Sequence, residues 1–288
     1  MSRTVTPSEA AVTARRMWRL AEPVHAVTYF TPEARAAYEE AGLRGYWRGY
    51  FAGRAAPLGP VGPEPVVAAF FGFAPAMVAR ALPGVWALAP PERALDARRR
   101  GAGAALRRLL AGQETAVAEA VDLLAPVVAG LDVAGRVLAA ANTALPSPGD
   151  PVDALWHQAT LLREHRGDGH VAALVAAGLS GCEALVLRTG IDLPRTELQP
   201  HRGWTDEQWA GAAARLADRG LLGADGSATA AGREAHRALE EATDRAAGRP
   251  WEPLAPGAVE RLVTVLSAAA RACAGALPYP NPMGVPTP

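Results

Sequence analysis

Residues 161–170 read LLREHRGDGH, six ionisable side chains in ten positions of a chain otherwise rich in alanine, leucine, valine and glycine. The fold turns on what happens here. A helix over 154–166 runs into the stretch, and Asp168 is placed to cap a new helix beginning near Gly169, its carboxylate accepting free backbone N–H groups. On that reading the stretch is a polar helix corner. Arg163 and Arg166 pair with Glu164 or Asp168, and His165 and His170 fill polar gaps. Two chemical readings compete with it. His157 and Glu164, seven residues apart, share a helix face. With His170 reaching in from the next helix they offer a histidine–carboxylate donor set for zinc. The spacing is not HExxH and neither cysteine is close in sequence, so no metal is expected. The other chemistry is acid/base catalysis by His165 or His170, oriented by Glu164 or Asp168. It would be cofactor-independent, because the chain has no GxSxG elbow, phosphate-gripping glycine loop or dinucleotide fingerprint.

Working outward, the corner has a partner earlier in the chain. RLAEPVHAV at 19–27 resembles DLLAPVVAG at 122–130, with Pro23 opposite Pro126. PEARAAYEEAGL at 32–43 resembles VAGRVLAAANTAL at 133–145, and YWRGYFAGR at 46–54 resembles LWHQATLLR at 155–163. In both copies a tryptophan precedes an arginine by seven residues, Trp47/Arg54 and Trp156/Arg163. Alanine-rich helices also resemble one another by chance. If the repeat is real, two similar helical units, 1–115 and 116–194, pack about a pseudo-twofold axis, and such interfaces hold ligands. The first copy keeps Arg54 at its corner, GRAAPLGPVG, but has no histidine or acid there. It carries instead Glu22, His25, Tyr29 and Tyr46 beside Phe30, Trp47, Tyr50 and Phe51. Facing each other, the two sets would line a pocket with an aromatic wall and a His/Arg/Glu floor. The bland alternative is aromatic core packing.

Thr31-Pro32 and Asp150-Pro151 each mark a helix start, an N-cap followed by proline at the first helical position. Residues 195–250 have a different pattern. Thr205 with Gln208 is a capping box, opening a helix that stops at Gly220. An Asp225-Gly226 turn follows between two short strand-like pieces, and Thr229 caps the next helix. The run RLADRGLL, then DG, T and GREAH, resembles the recognition-helix-to-wing section of MarR-like winged-helix proteins. With EPVHAVTYF, GYWRGYFAGRAAPLGPVG and ATLLREHRGDGH, the whole chain resembles an actinobacterial helix-turn-helix family. That resemblance implies architecture and supplies no catalytic residues. The expected fold is mainly α: two similar helical units, a winged-helix module at 195–250, and a closing helix with a Pro-rich tail at 251–288.

Charge argues against DNA as the partner. Seven arginines in 201–250 face eight acids, and the presumptive recognition helix begins with two acids and displays Trp209 among alanines. Phosphate contacts need the opposite balance. Six arginines between 92 and 110 form the one basic patch, which reads as a solvated helix face with Asp96 and Arg100 paired at i,i+4. The net formal charge is zero. All 29 basic residues are arginine and Ile191 is the only isoleucine, the codon usage of a GC-rich genome. Cys182 and Cys273 read as buried thiols. The N-terminus lacks the apolar core of a signal peptide, and no run of about 18 apolar residues is present. A cytoplasmic protein away from membranes is expected. The tail LPYPNPMGVPTP cannot be helical and either hangs free or lies across a groove through Tyr279 and Met283.

The leading functional expectation is a small-molecule-binding protein, its winged module used for packing or homodimerisation. The ligand would be apolar or aromatic, with a polar or anionic group for Arg54, Arg163 or His165. The pocket residues would be His25, Tyr29, Tyr46, Trp47, Tyr50, Arg54, His157, Arg163, Glu164, His165, Asp168 and His170. An enzyme using Glu164, His165 or His170 in the same pocket and a MarR-like ligand-responsive regulator are the alternatives.

Overall fold

LLREHRGDGH is not a corner. The computed structural model describes residues 8–284, and in it a single helix runs from Pro151 to Ala176 through both glycines of the stretch. The helices in order are α1 (Glu9–Phe30), α2 (Pro32–Glu40), α3 (Tyr46–Ala55), α4 (Pro63–Phe70), α5 (Pro75–Ala79), α6 (Val85–Leu88), α7 (Pro91–Leu109) and α8 (Glu114–Ala129). There follow α9 (Val137–Thr143), α10 (Pro151–Ala176), α11 (Gly181–Thr189), α12 (Arg195–Leu198), α13 (Asp206–Asp218), α14 (Ala230–Gly248) and α15 (Pro256–Ala274).

The central helix survives its glycines for a tertiary reason. Glycine in a helix interior costs about 1 kcal/mol relative to alanine, which an isolated segment would not recover. Here Gly169 leaves room for the Arg136 guanidinium; a Cβ would lie 2.7 Å from its Nη1. Arg136 thereby donates to the carbonyls of His165 and Ala246, each at 2.6 Å, tying α9 and α14 to α10. Asp168 does cap a helix, but not its own. Its carboxylate accepts the Ala139 N–H at 2.8 Å, in the first turn of α9.

Several start signals read from the sequence act locally. Asp150 accepts from the amides of Val152 and Asp153, Thr205 and Gln208 close their capping box, and Thr229 caps α14. Thr31 separates α1 from α2, but its hydroxyl donates backward to Val27 instead of capping forward. Around α10, α1 and α8 each pack on both α10 and α15, giving a four-helix core with Met17, Val24, Leu106, Leu124, Leu155 and Leu262 inside. Pro23 and Pro126 lie inside α1 and α8. The two stretches aligned in the sequence differ beyond their arginines. After Arg54 the chain turns through a 3-10 segment, Ala56–Leu58, whereas after Arg163 it continues as helix to Ala176.

A second core, built on Phe51, Phe70, Phe73, Val78 and Leu82, joins α2–α7. A third holds α11, α13 and the turn before α14 through Leu187, Trp209, Leu216 and Leu222. Trp209 is therefore buried within this region and not displayed on it. The expected wing strands reduce to one antiparallel bridge, Leu222 with Ala228, around a turn with Gly226 at φ +79°. Small residues in GADGSATA leave too little side chain to extend the pairing. Ala228 also donates to the Gly190 carbonyl at 2.9 Å, which docks the turn against the end of α11.

Four of the six arginines of α7, Arg99, Arg100, Arg107 and Arg108, form a salt-bridged face, whereas Arg98 is buried against Trp156 and Asn142. Arg100 pairs with Asp96 at 2.8 Å, Arg107 with Asp153 at 2.8 Å, and Arg108 with Glu33 at 2.5 Å. Both cysteines are free and buried, and burial raises Cys182 to about 11 and Cys273 to about 12. Among the described residues no single helix is long and apolar enough to cross a membrane. Of the Pro-rich tail, Met283 packs against Ala26 and Leu277, as Tyr29 and Phe30 also do, while Tyr279 is exposed; residues 285–288 lie outside those described.

Candidate functional site

The continuous helix places Arg163 and Glu164 side by side in the interior, and α3 delivers Arg54 to the same carboxylate. Glu164 is 1 % exposed. Arg54 grips it with two bonds, Nε to Oε1 at 3.0 Å and Nη2 to Oε2 at 3.1 Å, and Arg163 Nη1 adds a third at 2.6 Å. Arg163 also faces Glu22 at 3.6 Å, and Glu22 accepts from the Trp18 indole at 3.1 Å. Both arginines of the near-repeat thus meet at one glutamate. Burial pushes the Glu164 carboxyl up, but Arg163 and Arg54 more than offset it and hold it well below the usual range. Glu22 goes the other way, because its burial outweighs the attraction of Arg163.

Behind this cluster a neutral chain of hydrogen bonds joins α1 to α10. His25 contacts the Thr160 hydroxyl through Nδ1 at 3.0 Å and the Tyr29 hydroxyl through Nε2 at 3.1 Å. Its carbonyl accepts from the Trp156 indole at 3.3 Å. Burial keeps His25 neutral and Tyr29 protonated.

In front of the cluster opens a cavity of about 480 Å³. One wall is aromatic: Tyr46, Trp47, Tyr50, Phe70 and Phe73, with neighbouring rings such as Tyr46 and Trp47 at 4.9 Å and Tyr50 and Phe73 at 5.5 Å. The Arg54 guanidinium stacks over Phe70 at 4.1 Å and that of Arg202 over Phe73 at 4.7 Å, within cation–π range. The opposite wall comes from α10, α11 and α14, and Pro282–Gly284 of the tail complete the lining. Seven arginines line the space against three carboxylates, Glu22, Asp192 and Glu240. Glu164 and Asp244 reach lining arginines from behind, which still leaves the arginines two in excess.

The residues singled out in the sequence therefore divide. Tyr46, Trp47, Tyr50, Arg54, Arg163 and His170 line the cavity, and His25, Tyr29 and Glu164 stand in the hydrogen-bonded layer around it. His157, His165 and Asp168 do not reach it. His157 lies beside Arg98, where burial and that charge lower it to about 4. His165 faces Trp251 and Pro250 on the other side of α10, lowered to about 4 by burial and by Arg136. His170 contacts the Thr243 hydroxyl at 2.9 Å, and burial lowers it to about 4. At pH 7 all three are neutral and weakly basic, so the acid/base reading draws no support from them. The zinc reading fails on geometry: His157, Glu164 and His170 occupy three separate environments, and among the described residues no three His, Cys, Asp or Glu side chains converge.

Sequence reasoning missed Phe70, Phe73 and Arg202. The two phenylalanines sit in a stretch that reads as plain core. Arg202, in HRGW before the capping box, counts in the sequence only as one more arginine of the winged region.

No curated protein and no solved structure matches the chain. A family model does, over residues 14–280, which takes in the four-helix core, both walls of the cavity and the α11–α14 region together. The chain belongs to this helix-turn-helix family.

Proposed function

We propose that the protein binds a small molecule, apolar or aromatic with a polar or anionic group, in the cavity between the aromatic wall of α3 and α4 and the α10–α14 side. The observation that carries this reading is the cavity itself. Its volume, about 480 Å³, falls in the range of small-ligand sites, roughly 300–1,000 Å³. Its lining combines a ring-rich face with convergent cations, the usual make-up of such sites. The α11–α14 region, of winged-helix type in this reading, serves packing or homodimerisation. Native mass spectrometry of the full chain purified from its own host tests it. A mass excess that disappears on denaturation, and that Ala184→Trp in the cavity wall prevents, is the expected result. A bare mass from wild type would overturn the reading.

A ligand-responsive regulator of MarR-like type is the second reading. It is favoured by the family and by the order α11, α12, α13, tight turn, α14. The exposed face of α13 disfavours it, since Asp206, Glu207 and Asp218 stand there against Arg215, itself bound to Glu183 at 2.7 Å. A helix meeting phosphates needs cations instead. Gel-shift binding to duplex DNA that weakens steeply between about 50 and about 200 mM salt would establish the regulator.

A further inference from the structure

The cavity arginines are not equal. Arg54 and Arg163 share Glu164; Arg15 and Arg166 share Glu240 and Asp244; Arg188 pairs with Asp192. Arg19 is exposed to solvent. That leaves Arg202. Among the described residues no carboxylate lies within 4.0 Å of its guanidinium. Nη1 donates to the His201 carbonyl at 3.3 Å and Nη2 to the Pro282 carbonyl at 2.5 Å. A guanidinium carries five N–H donors, so three are left for another acceptor. Burial pulls its pKa below the ordinary guanidinium value, the mark of a charge that its surroundings do not repay. A partly buried cation of this kind calls for an anion.

Its backbone is anchored. The Arg202 carbonyl accepts the Ala74 N–H at 2.8 Å, and the Trp204 indole donates to the Gly72 carbonyl at 2.9 Å. The guanidinium lies over the Phe73 ring, 4.7 Å from its centroid, with Nη2 held by the tail carbonyl. Little rotamer freedom is left to lose on binding, which is what a preorganised site requires.

We propose that Arg202 is the seat of the ligand's anionic group, a carboxylate received by the free donors of its planar fork, with the apolar part of the ligand against Tyr46, Trp47 and Tyr50. This rests on the cavity being a ligand site. It moves the charge-reading role from Arg54 and Arg163, whose donors Glu164 already occupies, to the loop that leads into α13. The ligand class is then an aromatic monocarboxylate and not its neutral amide or alcohol.

The test is isothermal titration of the full chain with 1-naphthoate and with 1-naphthamide, its uncharged counterpart. Wild type is expected to bind the carboxylate about tenfold or more tightly than the amide, as a charge-assisted bidentate contact implies. Arg202→Met should erase that preference by bringing the carboxylate's affinity down to the amide's, and Arg202→Lys should keep part of it. In the absence of ligand the methionine variant should melt no lower than wild type, because it removes an unrepaid charge; a purely structural arginine would cost stability. Should the methionine variant fail to fold, the lysine variant decides alone: undiminished preference overturns the proposal. Equal binding of both probes to wild type overturns the seat and leaves the cavity reading standing. Binding of neither probe at millimolar concentration overturns both.

Discussion

Replacing Glu164 by glutamine should be the most costly single-atom change in this interior. The side chain keeps its size but loses the charge that Arg54 and Arg163 share, in a place where the carboxylate is 1 % exposed and Arg54 8 %. Breaking a buried pair by removing one partner costs about 3–5 kcal/mol, because the remaining charge is left uncompensated. At about 2.1 cal/mol/K of unfolding entropy per residue, 288 residues give about 0.6 kcal/mol/K. The expected fall in Tm is therefore about 5–8 °C, measurable by calorimetry at neutral pH. The pH dependence supplies a sharper check. Glu164 is held below its ordinary value of 4.5 in the folded state, so its contribution is complete above about 4.5 and is lost as pH falls further toward the folded value. The gap between wild type and Glu164→Gln should accordingly stay constant above about pH 5 and narrow by about 1.4 kcal/mol per unit below about 4.5. Adding Arg54→Met to the glutamine variant should recover part of the loss, since it removes one orphaned cation. A Tm shift under about 2 °C, or a gap that does not narrow in acid, would refute the assignment of Glu164 as the shared counter-ion.

Gly167→Ala tests the continuous helix: a Cβ there meets only the tips of Glu164 and Arg163 at 3.8 Å or more, so the variant should gain about 0.5–1 kcal/mol in urea unfolding. A loss would mean that the chain bends at this glycine. Gly181→Ala should destabilise strongly, its Cβ falling 2.0 Å from the backbone carbonyl of Phe71; an unchanged urea midpoint would contradict that close approach. His157, His165 and His170, each lowered to about 4 from 6.5, stabilise the fold fully above about pH 6.5 and lose that contribution as pH falls toward 4. Urea midpoints should decline across that window, and their imidazole resonances should not titrate between pH 6 and 8; a flat stability profile would overturn the assignment.

Legibility differed between the fold and the site. The helical character, the capping box at Thr205, the Asp150 cap and the Asp96–Arg100 pair on α7 were all readable, because each depends on residues within four positions of one another. Tyr46, Trp47, Tyr50, Arg54 and Arg163 could be picked as pocket residues because tryptophan, tyrosine and arginine stand out in so plain a chain. The roles assigned to them were less readable. Arg54 and Glu164 are 110 residues apart, and nothing local to either indicates that they meet.

LLREHRGDGH marks the division. By itself the sequence determined that this segment is polar between apolar helical flanks, and that Asp168 has the chemistry of a cap. Only the tertiary structure decided that the helix continues, since the approach of Arg136 over Gly169 comes from α9 and the amide that Asp168 caps belongs to α9 as well. The same distinction governs the charges. Composition counts arginines and acids as equal, but whether a given cation is repaid depends on which carboxylate the packing brings within a few ångströms. Coulomb attraction at that distance and low dielectric is a property of the folded interior, not of neighbours along the chain. Arg54 and Arg163 acquire a partner in this way, and Arg202 is left facing the cavity without one among the described residues.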